Sequence, residues 1–113
     1  MKEQVKELWT KALRSGEYKQ GQGSLNCNGK FCCLGVLTDL YIKAMGSEWE
    51  SRLIGEGFTF GGHSAVLSEN VAKWSGMKTS TGLFNGGTLA ILNDIGSSFE
   101  SIADVIEKNY EDL

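Results

Sequence analysis

The sequence predicts an α+β fold in a single small domain, and three observations support that prediction. Apolar residues recur at helical spacing near both ends of the chain. Asn28-Gly29, a pair that favours a two-residue hairpin turn, precedes the most apolar run, Phe31 to Leu37. Fifteen glycines and no proline leave the loops to be shaped by glycine. We therefore expect an N-terminal helix, a β-hairpin, a central buried helix, a small antiparallel sheet and C-terminal helices.

Length and charge limit the classes of protein to which this chain can belong. The 113 residues predict one domain, spanning 1–113, with a single core. The net charge of −3 argues against a general affinity for nucleic acid or for anionic membranes. No apolar run approaches the roughly 20 residues of a membrane span. Three cysteines, two of them adjacent, do not form a disulfide framework, so we expect a cytoplasmic protein.

Helices are predicted from apolar spacing together with flanking caps and glycines. Ser68 is the expected N-cap of a short helix that ends at Gly76. Ser97 and Glu100 form an expected capping box for the last helix. The predicted helices are 2–15, 33–45, 69–75, 88–95 and 97–109.

Strands are predicted in two places. A two-residue turn at Asn28-Gly29 would pair Cys27 with Lys30 and Leu25 with Cys32. Residues 49–54 and 58–60 would form two further strands joined across a glycine-rich turn, followed by a mobile loop at 61–64.

The cysteines suggest three roles. Cys32 or Cys33 with His63 could form a nucleophile and base, and together with Cys27 these residues could bind zinc. Adjacent cysteines lack the spacing of structural zinc sites, however, and cysteines in an apolar run are usually buried. We expect interior packing, with no metal, no cofactor and no catalytic residue.

The two C-terminal helices resemble a helix-turn-helix in outline. The second would present Glu100, Asp104 and Glu107 to phosphates, with only Lys108 in compensation. Because recognition helices need cations and base-reading side chains, we interpret the pair as a helical hairpin that covers the core.

Two glycine-rich segments could contact an anionic ligand. Gly86 and Gly87 precede a predicted helix, where free backbone N–H groups and the helix dipole favour phosphate; a simple turn is the alternative. In the segment from Tyr18 to Gly23, Tyr18 offers a stacking face, Gln20 a polar edge, and Gly21 and Gly23 a close backbone approach. The alternative is an irregular edge strand.

Polar residues elsewhere complete the predicted ligand site. Asn93 and Asp94 end an apolar helix and could read a ribose or a base edge, or could simply bond to the following loop. Arg14 and Lys30 are the expected phosphate contacts.

The chain resembles a family of small, mostly uncharacterised proteins of tailed phages and prophages. The resemblance covers both ends but not residues 46–83. The residues that carry it are Trp9, Ala12-Leu13-Arg14-Ser15-Gly16, Tyr18, Gln20-Gly21, Gly23, Leu25, Phe31-Cys32-Cys33-Leu34-Gly35-Val36-Leu37, Leu92-Asn93-Asp94, Gly96, Ser98-Phe99, Ile102-Ala103-Asp104 and Ile106-Glu107.

The resemblance implies a function in the cytoplasm of an infected host. Small phage proteins often counter host defences, and the polar, glycine-rich positions suit a non-enzymatic protein that sequesters a nucleotide-derived immune signal. We expect a homo-oligomer that binds a small nucleotide-type ligand. The alternatives are an inhibitor that binds a host protein through the acidic last helix, and a cysteine-dependent hydrolase.

Overall fold

A computed structural model describes residues 1–52 and 55–113, which form an α+β domain measuring 37 × 28 × 24 Å. The predicted fold class is therefore confirmed. All the predicted helices are present, with bounds that agree within two residues. They are α1 Glu3–Arg14, α2 Cys33–Met45, α3 Glu69–Ser75, α4 Leu89–Asp94 and α5 Phe99–Asn109.

The strands are two residues long and form three separate ladders in the described part of the chain. The second ladder matches the predicted pair at 49–54 and 58–60, although positions 53 and 54 lie outside the described residues. The predicted loop at 61–64 is a tight turn in which Phe60 and His63 exchange backbone hydrogen bonds. The strands are β1 Lys19–Gln20, β2 Lys30–Phe31, β3 Glu50–Ser51, β4 Phe58–Thr59, β5 Leu83–Phe84 and β6 Gly87–Thr88; β1 and β2 run parallel and the other two ladders are antiparallel.

Helix α2 lies at the centre of the domain. It packs against α1, α3 and α4, and every residue from Cys33 to Asp39 is buried. Gly35 permits the closest approach, because a Cβ atom there would lie 1.7 Å from the carbonyl oxygen of Leu25. The first two turns of α2, which contain most of the apolar run from Phe31 to Leu37, are therefore buried on every side.

The two ends of the chain pack together across this centre. Helix α1 lies along α5 and against α2, and its Trp9 is fully buried. The Trp9 indole N–H donates to the carbonyl of Cys33 at 2.9 Å, which satisfies a polar group that burial would otherwise leave unpaired.

The hairpin prediction is correct at the turn and wrong beyond it. Cys27 and Lys30 exchange backbone hydrogen bonds of 2.9 Å across Asn28-Gly29, both of which have positive φ. Leu25 and Cys32 do not pair. Leu25 enters the core and packs its backbone against α2, so strand β2 pairs in parallel with β1 instead.

The start of α5 also differs by one residue. The N-cap is Ser98, whose hydroxyl accepts the N–H of Ser101, so the predicted capping box of Ser97 and Glu100 does not form. The reason is that the backbone N–H of Ser97 already donates to the carbonyl of Leu92 at the end of α4, so it is not free to donate to Glu100.

Candidate functional site

Five of the predicted ligand residues lie together, on the segment 20–23 and at the end of α4. The amide nitrogen of Gln20 donates to Asn93 Oδ1 at 2.9 Å, and that of Asn93 donates to the carbonyl of Gly21 at 2.7 Å. The backbone N–H of Gly23 donates to Asp94 Oδ1 at 2.9 Å. The predicted proximity is real, but these polar groups bind one another.

Asn93 has a structural role that sequence spacing does not show. Its side chain is fully buried, and its Oδ1 also accepts the N–H of Cys33, the first residue of α2, at 3.0 Å. The N-cap residue of that helix, Cys32, makes no side-chain capping bond. Asn93 therefore supplies the missing cap from a distant part of the chain.

Arg14 lies apart from this cluster, between α1 and α5. Its guanidinium makes ion pairs with Glu100, Asp104 and Glu107, all on α5. A ligand phosphate would have to displace three carboxylates to reach it. Beside Arg14 is a cleft of about 380 Å³ lined by Glu7, Leu8, Thr10, Lys11, Arg14 and Glu107.

Tyr18 is also occupied by intramolecular contacts. Its hydroxyl donates to Asp39, and Lys43 Nζ lies 3.2 Å from that hydroxyl and 5.4 Å from the ring centroid. The edge-on contact with Phe31 uses another side of the ring. Burial and the bond to Asp39 raise the pKa of Tyr18. The side chain anchors the segment that follows α1, and its predicted stacking face is partly covered.

Gly86 and Gly87 belong to a β-hairpin, with Asn85 and Gly86 in the turn between β5 and β6. The N–H groups at the start of α4 already have partners: Leu89 donates to Gly82, Ala90 to Thr81, and Ile91 to the hydroxyl of Thr88. These three N–H groups are therefore not free to bind a phosphate, and the contacts fit the alternative, a simple turn.

Lys30 and Gly21 line a separate polar cleft of about 220 Å³. Its lining residues are Gly21, Gln22, Ser24, Cys27, Asn28 and Lys30. A Cβ at position 21 would lie 2.8 Å from Lys30 Cβ, so glycine allows the lysine side chain to lie against the backbone. Gln22 and Asn28 are exposed at the cleft, where their amides can bind a ligand.

Lys19 is a further cation that the sequence does not associate with this cleft. The parallel register places it directly beside Lys30, and both side chains are exposed. Within residues 1–52 and 55–113 neither lysine pairs with a carboxylate. Like charges on neighbouring strands repel, so an anion bound between them would be stabilised. Only the parallel pairing reveals this, because a hairpin would have separated the two residues.

Cys32 and Cys33 lack the exposed, electropositive surroundings that activate a thiol. Cys32 and Cys33 are buried, and burial raises the pKa of both thiols, that of Cys33 strongly. Cys33 Sγ lies 3.6 Å from the carbonyl of Leu89, whereas His63 is exposed in the turn before α3. In the described part of the chain no three His, Cys, Asp or Glu residues are placed to hold a metal ion.

Comparison with known proteins gives one family. A model described as "Domain of unknown function (DUF8296)" matches residues 1–110, nearly the whole chain. No curated protein and no solved structure matches the chain significantly. Among the residues that the structure describes, no helix has the length and apolar character to cross a membrane.

Proposed function

We propose that this chain, which belongs to the DUF8296 family, is a non-enzymatic accessory protein of a phage or prophage that sequesters a nucleotide-derived signal of host defence. It would act in the cytoplasm of the infected host. The observation that carries the proposal is the in-register pair of Lys19 and Lys30, of which Lys30 lines the polar cleft.

The charge of the cleft supports a phosphate-bearing ligand. Lys19 and Lys30, which pair with no carboxylate in the described ranges, create a local positive field on a chain with a net charge of −3. A phosphate between them would remove their mutual repulsion and gain charge-assisted hydrogen bonds. The predicted contact by Lys30 is retained, and Lys19 takes the place that Arg14 was expected to fill.

The size of the cleft supports partial enclosure of a ligand. Pockets that bury most of a small molecule measure about 300–1,000 Å³, and this cleft measures about 220 Å³. It would therefore hold the phosphate and sugar portion of a nucleotide. The exposed amides of Gln22 and Asn28 would bind hydroxyl groups or a base edge.

The chemistry of the surrounding groups supports binding without turnover. The cleft has one thiol, that of Cys27, and none of its lining residues is a carboxylate or a histidine. General acid–base catalysis requires a group that can exchange a proton near neutral pH. We therefore propose sequestration of the ligand and not its hydrolysis.

Calorimetric titration with cyclic nucleotides, cyclic dinucleotides and ADP-ribose isomers tests this function. At least one should bind with an affinity that falls as salt is added. Lys30→Gln should weaken binding by about tenfold or more, since a charge-assisted hydrogen bond contributes roughly 1.5–3 kcal/mol. The matched control is Lys108→Gln, an exposed lysine on α5, which should bind as the wild type does. Absence of binding throughout the series would contradict the proposal.

The exposed carboxylates of α5 favour a second candidate function. Glu100, Asp104 and Glu107 are each more than half exposed, and among the described residues all three share Arg14 as their ion-pair partner. An acidic face of this kind could bind the basic groove of a host defence protein. A pull-down from host lysate with wild type and with a Glu100→Gln, Asp104→Asn variant distinguishes the two functions, because ligand sequestration requires no stoichiometric protein partner.

A further inference from the structure

Backbone donors without an acceptor belong to the polar cleft. The N–H groups of Gln22, Ser24 and Asn28, three of the residues that line it, donate to no acceptor among the residues that the structure describes. In contrast, the carbonyl oxygens of Gly21, Ser24 and Cys27 each accept a hydrogen bond from within the chain, at 2.7, 3.2 and 2.9 Å. Free N–H groups close to a lysine ammonium group suit an anionic ligand.

The segment on one side of the cleft is fixed by bonds that a ligand does not need to make. The N–H of Gly21 donates to the carbonyl of Phe31 at 2.8 Å. The N–H of Gly23 donates to Asp94 Oδ1 at 2.9 Å, and neither of these two residues lines the cleft. Asp94 is exposed, so solvent and salt screen its charge from an anion in the cleft. Because the segment is held in advance, binding costs less conformational entropy.

The two lysines lie at different places relative to the cleft. Lys30 lines it and Lys19 does not, although the two are register partners. Neighbouring strands lie about 4.8 Å apart, and register partners extend their side chains from the same face of the ladder. An anionic group inside the cleft is therefore within reach of Lys30. Lys19 requires an anionic group that extends from the cleft towards β1.

Charge matching indicates how many phosphates the ligand carries. The phosphodiester of a cyclic mononucleotide has a single negative charge, which can compensate only one of the two lysines. A diphosphate has a negative charge on each of two phosphates that share an oxygen, so it can compensate both. It would also form a charge-assisted hydrogen bond with each ammonium group.

We infer that the ligand of the cleft carries a diphosphate, with one phosphate bound by Lys30 in the cleft and the next bound by Lys19 on β1. This ligand class rests on the sequestering function proposed above and narrows it to nucleotides with adjacent phosphates. A ligand with an isolated phosphate would satisfy Lys30 and would not require Lys19.

NMR titration of the backbone amides with inorganic phosphate and with pyrophosphate, at constant ionic strength, tests this ligand class without a choice of base. The amide signals of Gln22, Ser24 and Asn28 should shift, since these N–H groups belong to the cleft. Pyrophosphate should bind about tenfold or more tightly than phosphate, because it gains one further charge-assisted hydrogen bond.

Variants of the two lysines separate the contributions of the two phosphates. Lys19→Gln should remove the preference for pyrophosphate and leave the affinity for phosphate unchanged, whereas Lys30→Gln should weaken the binding of both anions. Lys19→Met, which keeps an unbranched side chain without the charge, should behave as Lys19→Gln does. The matched control is Lys108→Gln, an exposed lysine on α5, which should bind both anions as the wild type does. The amide spectra also report whether each variant is folded.

The outcomes distinguish this ligand class from the broader function. Loss of the pyrophosphate preference in the Lys19 variants but not in Lys108→Gln supports the diphosphate. Equal affinity for the two anions, or an equal effect of Lys19→Gln on both, would overturn it and leave sequestration of a ligand with a single phosphate intact. Amide shifts that are absent, or confined to other parts of the chain, would also overturn it, and the nucleotide titrations described above then decide separately whether the chain binds a signal.

Discussion

Asn93 Oδ1 accepts the backbone N–H of Cys33 at 3.0 Å, so a side chain 60 residues further along the chain caps the central helix. The same side chain holds Gln20 and Gly21. Its contacts connect the segment that lines the polar cleft with the core of the domain. They also show why a polar residue at the end of an apolar helix need not indicate a ligand site.

Asn93→Ala should lower the free energy of unfolding by about 3 kcal/mol, because it leaves the buried N–H of Cys33 and the part-buried carbonyl of Gly21 without their partner. Urea unfolding followed by tryptophan fluorescence measures the change. Asn70→Ala is the control, since Asn70 is exposed on α3 and should change stability little. Equal effects of the two substitutions would show that the cap contributes nothing.

Gly35→Ala should destabilise the protein by roughly 3 kcal/mol or more, because the added Cβ would overlap the Leu25 carbonyl oxygen, 1.7 Å away. Helix propensity alone predicts the opposite sign, a gain of about 1 kcal/mol. Gly16→Ala is the comparison: φ is +78° there and no other atom is close, so only backbone strain of about 1 kcal/mol applies. A neutral or stabilising Gly35→Ala in thermal unfolding would contradict the packing of α2 on Leu25.

The thiols should react in a defined order in the native state. Cys27 is half-buried and should be alkylated first, whereas Cys32 and Cys33 should react only at the rate of unfolding. Burial raises the pKa of both buried thiols, so the folded state favours their neutral forms. The free energy of unfolding should therefore fall as pH rises above about 8.5, the ordinary pKa of a thiol. Mass spectrometry of iodoacetamide adducts over time measures the order. Fast native labelling of Cys33 would point to an activated thiolate and to an enzyme.

Asp39 should contribute to the pH dependence of stability in acid. Burial raises the pKa of its carboxyl, but hydrogen bonds from Tyr18, Trp49 and Lys43 outweigh burial and lower the pKa overall. A lowered pKa gives stability that is present above the ordinary carboxyl value of about 4 and is lost as pH falls through the folded value.

Asp39→Asn should therefore cost about 2 kcal/mol at pH 7 and flatten the decline of stability below about pH 4. Denaturant unfolding between neutral and acid pH measures both effects. Asp112→Asn, at an exposed residue near the end of the chain, should leave the profile unchanged. If the stability of the variant declines in acid as steeply as that of the wild type, Asp39 is not the source of the pH dependence.

Much of the fold could be predicted because helical periodicity and capping are local properties. Helix α2 has the predicted bounds, Cys33 to Met45, with Gly46 in the left-handed conformation at its end. Helix α3 also has its predicted cap at Ser68 and its predicted stop at Gly76. The residues that decide these features lie within a few positions of each other in the chain, so their pattern is visible in the sequence.

The candidate site was less predictable. The grouping of Gln20 and Gly21 with Asn93 was expected, and the structure brings them together, but as partners of one another. Arg14 was expected at a phosphate and pairs with α5. Lys19 is not among the predicted ligand residues, because a strand of two residues that pairs in parallel with β2 has no sequence signal.

The sequence by itself determined the α+β class, the helices and the burial of the two-cysteine run, since apolar spacing and capping act between near neighbours. Only the tertiary structure decided which polar groups are free. Asn93 and Arg14 bind residues that lie 60 and 90 positions away, whereas Lys19 and Lys30 are register partners that pair with no carboxylate among the residues that the structure describes. Such pairings depend on how distant segments pack, and no local pattern encodes them.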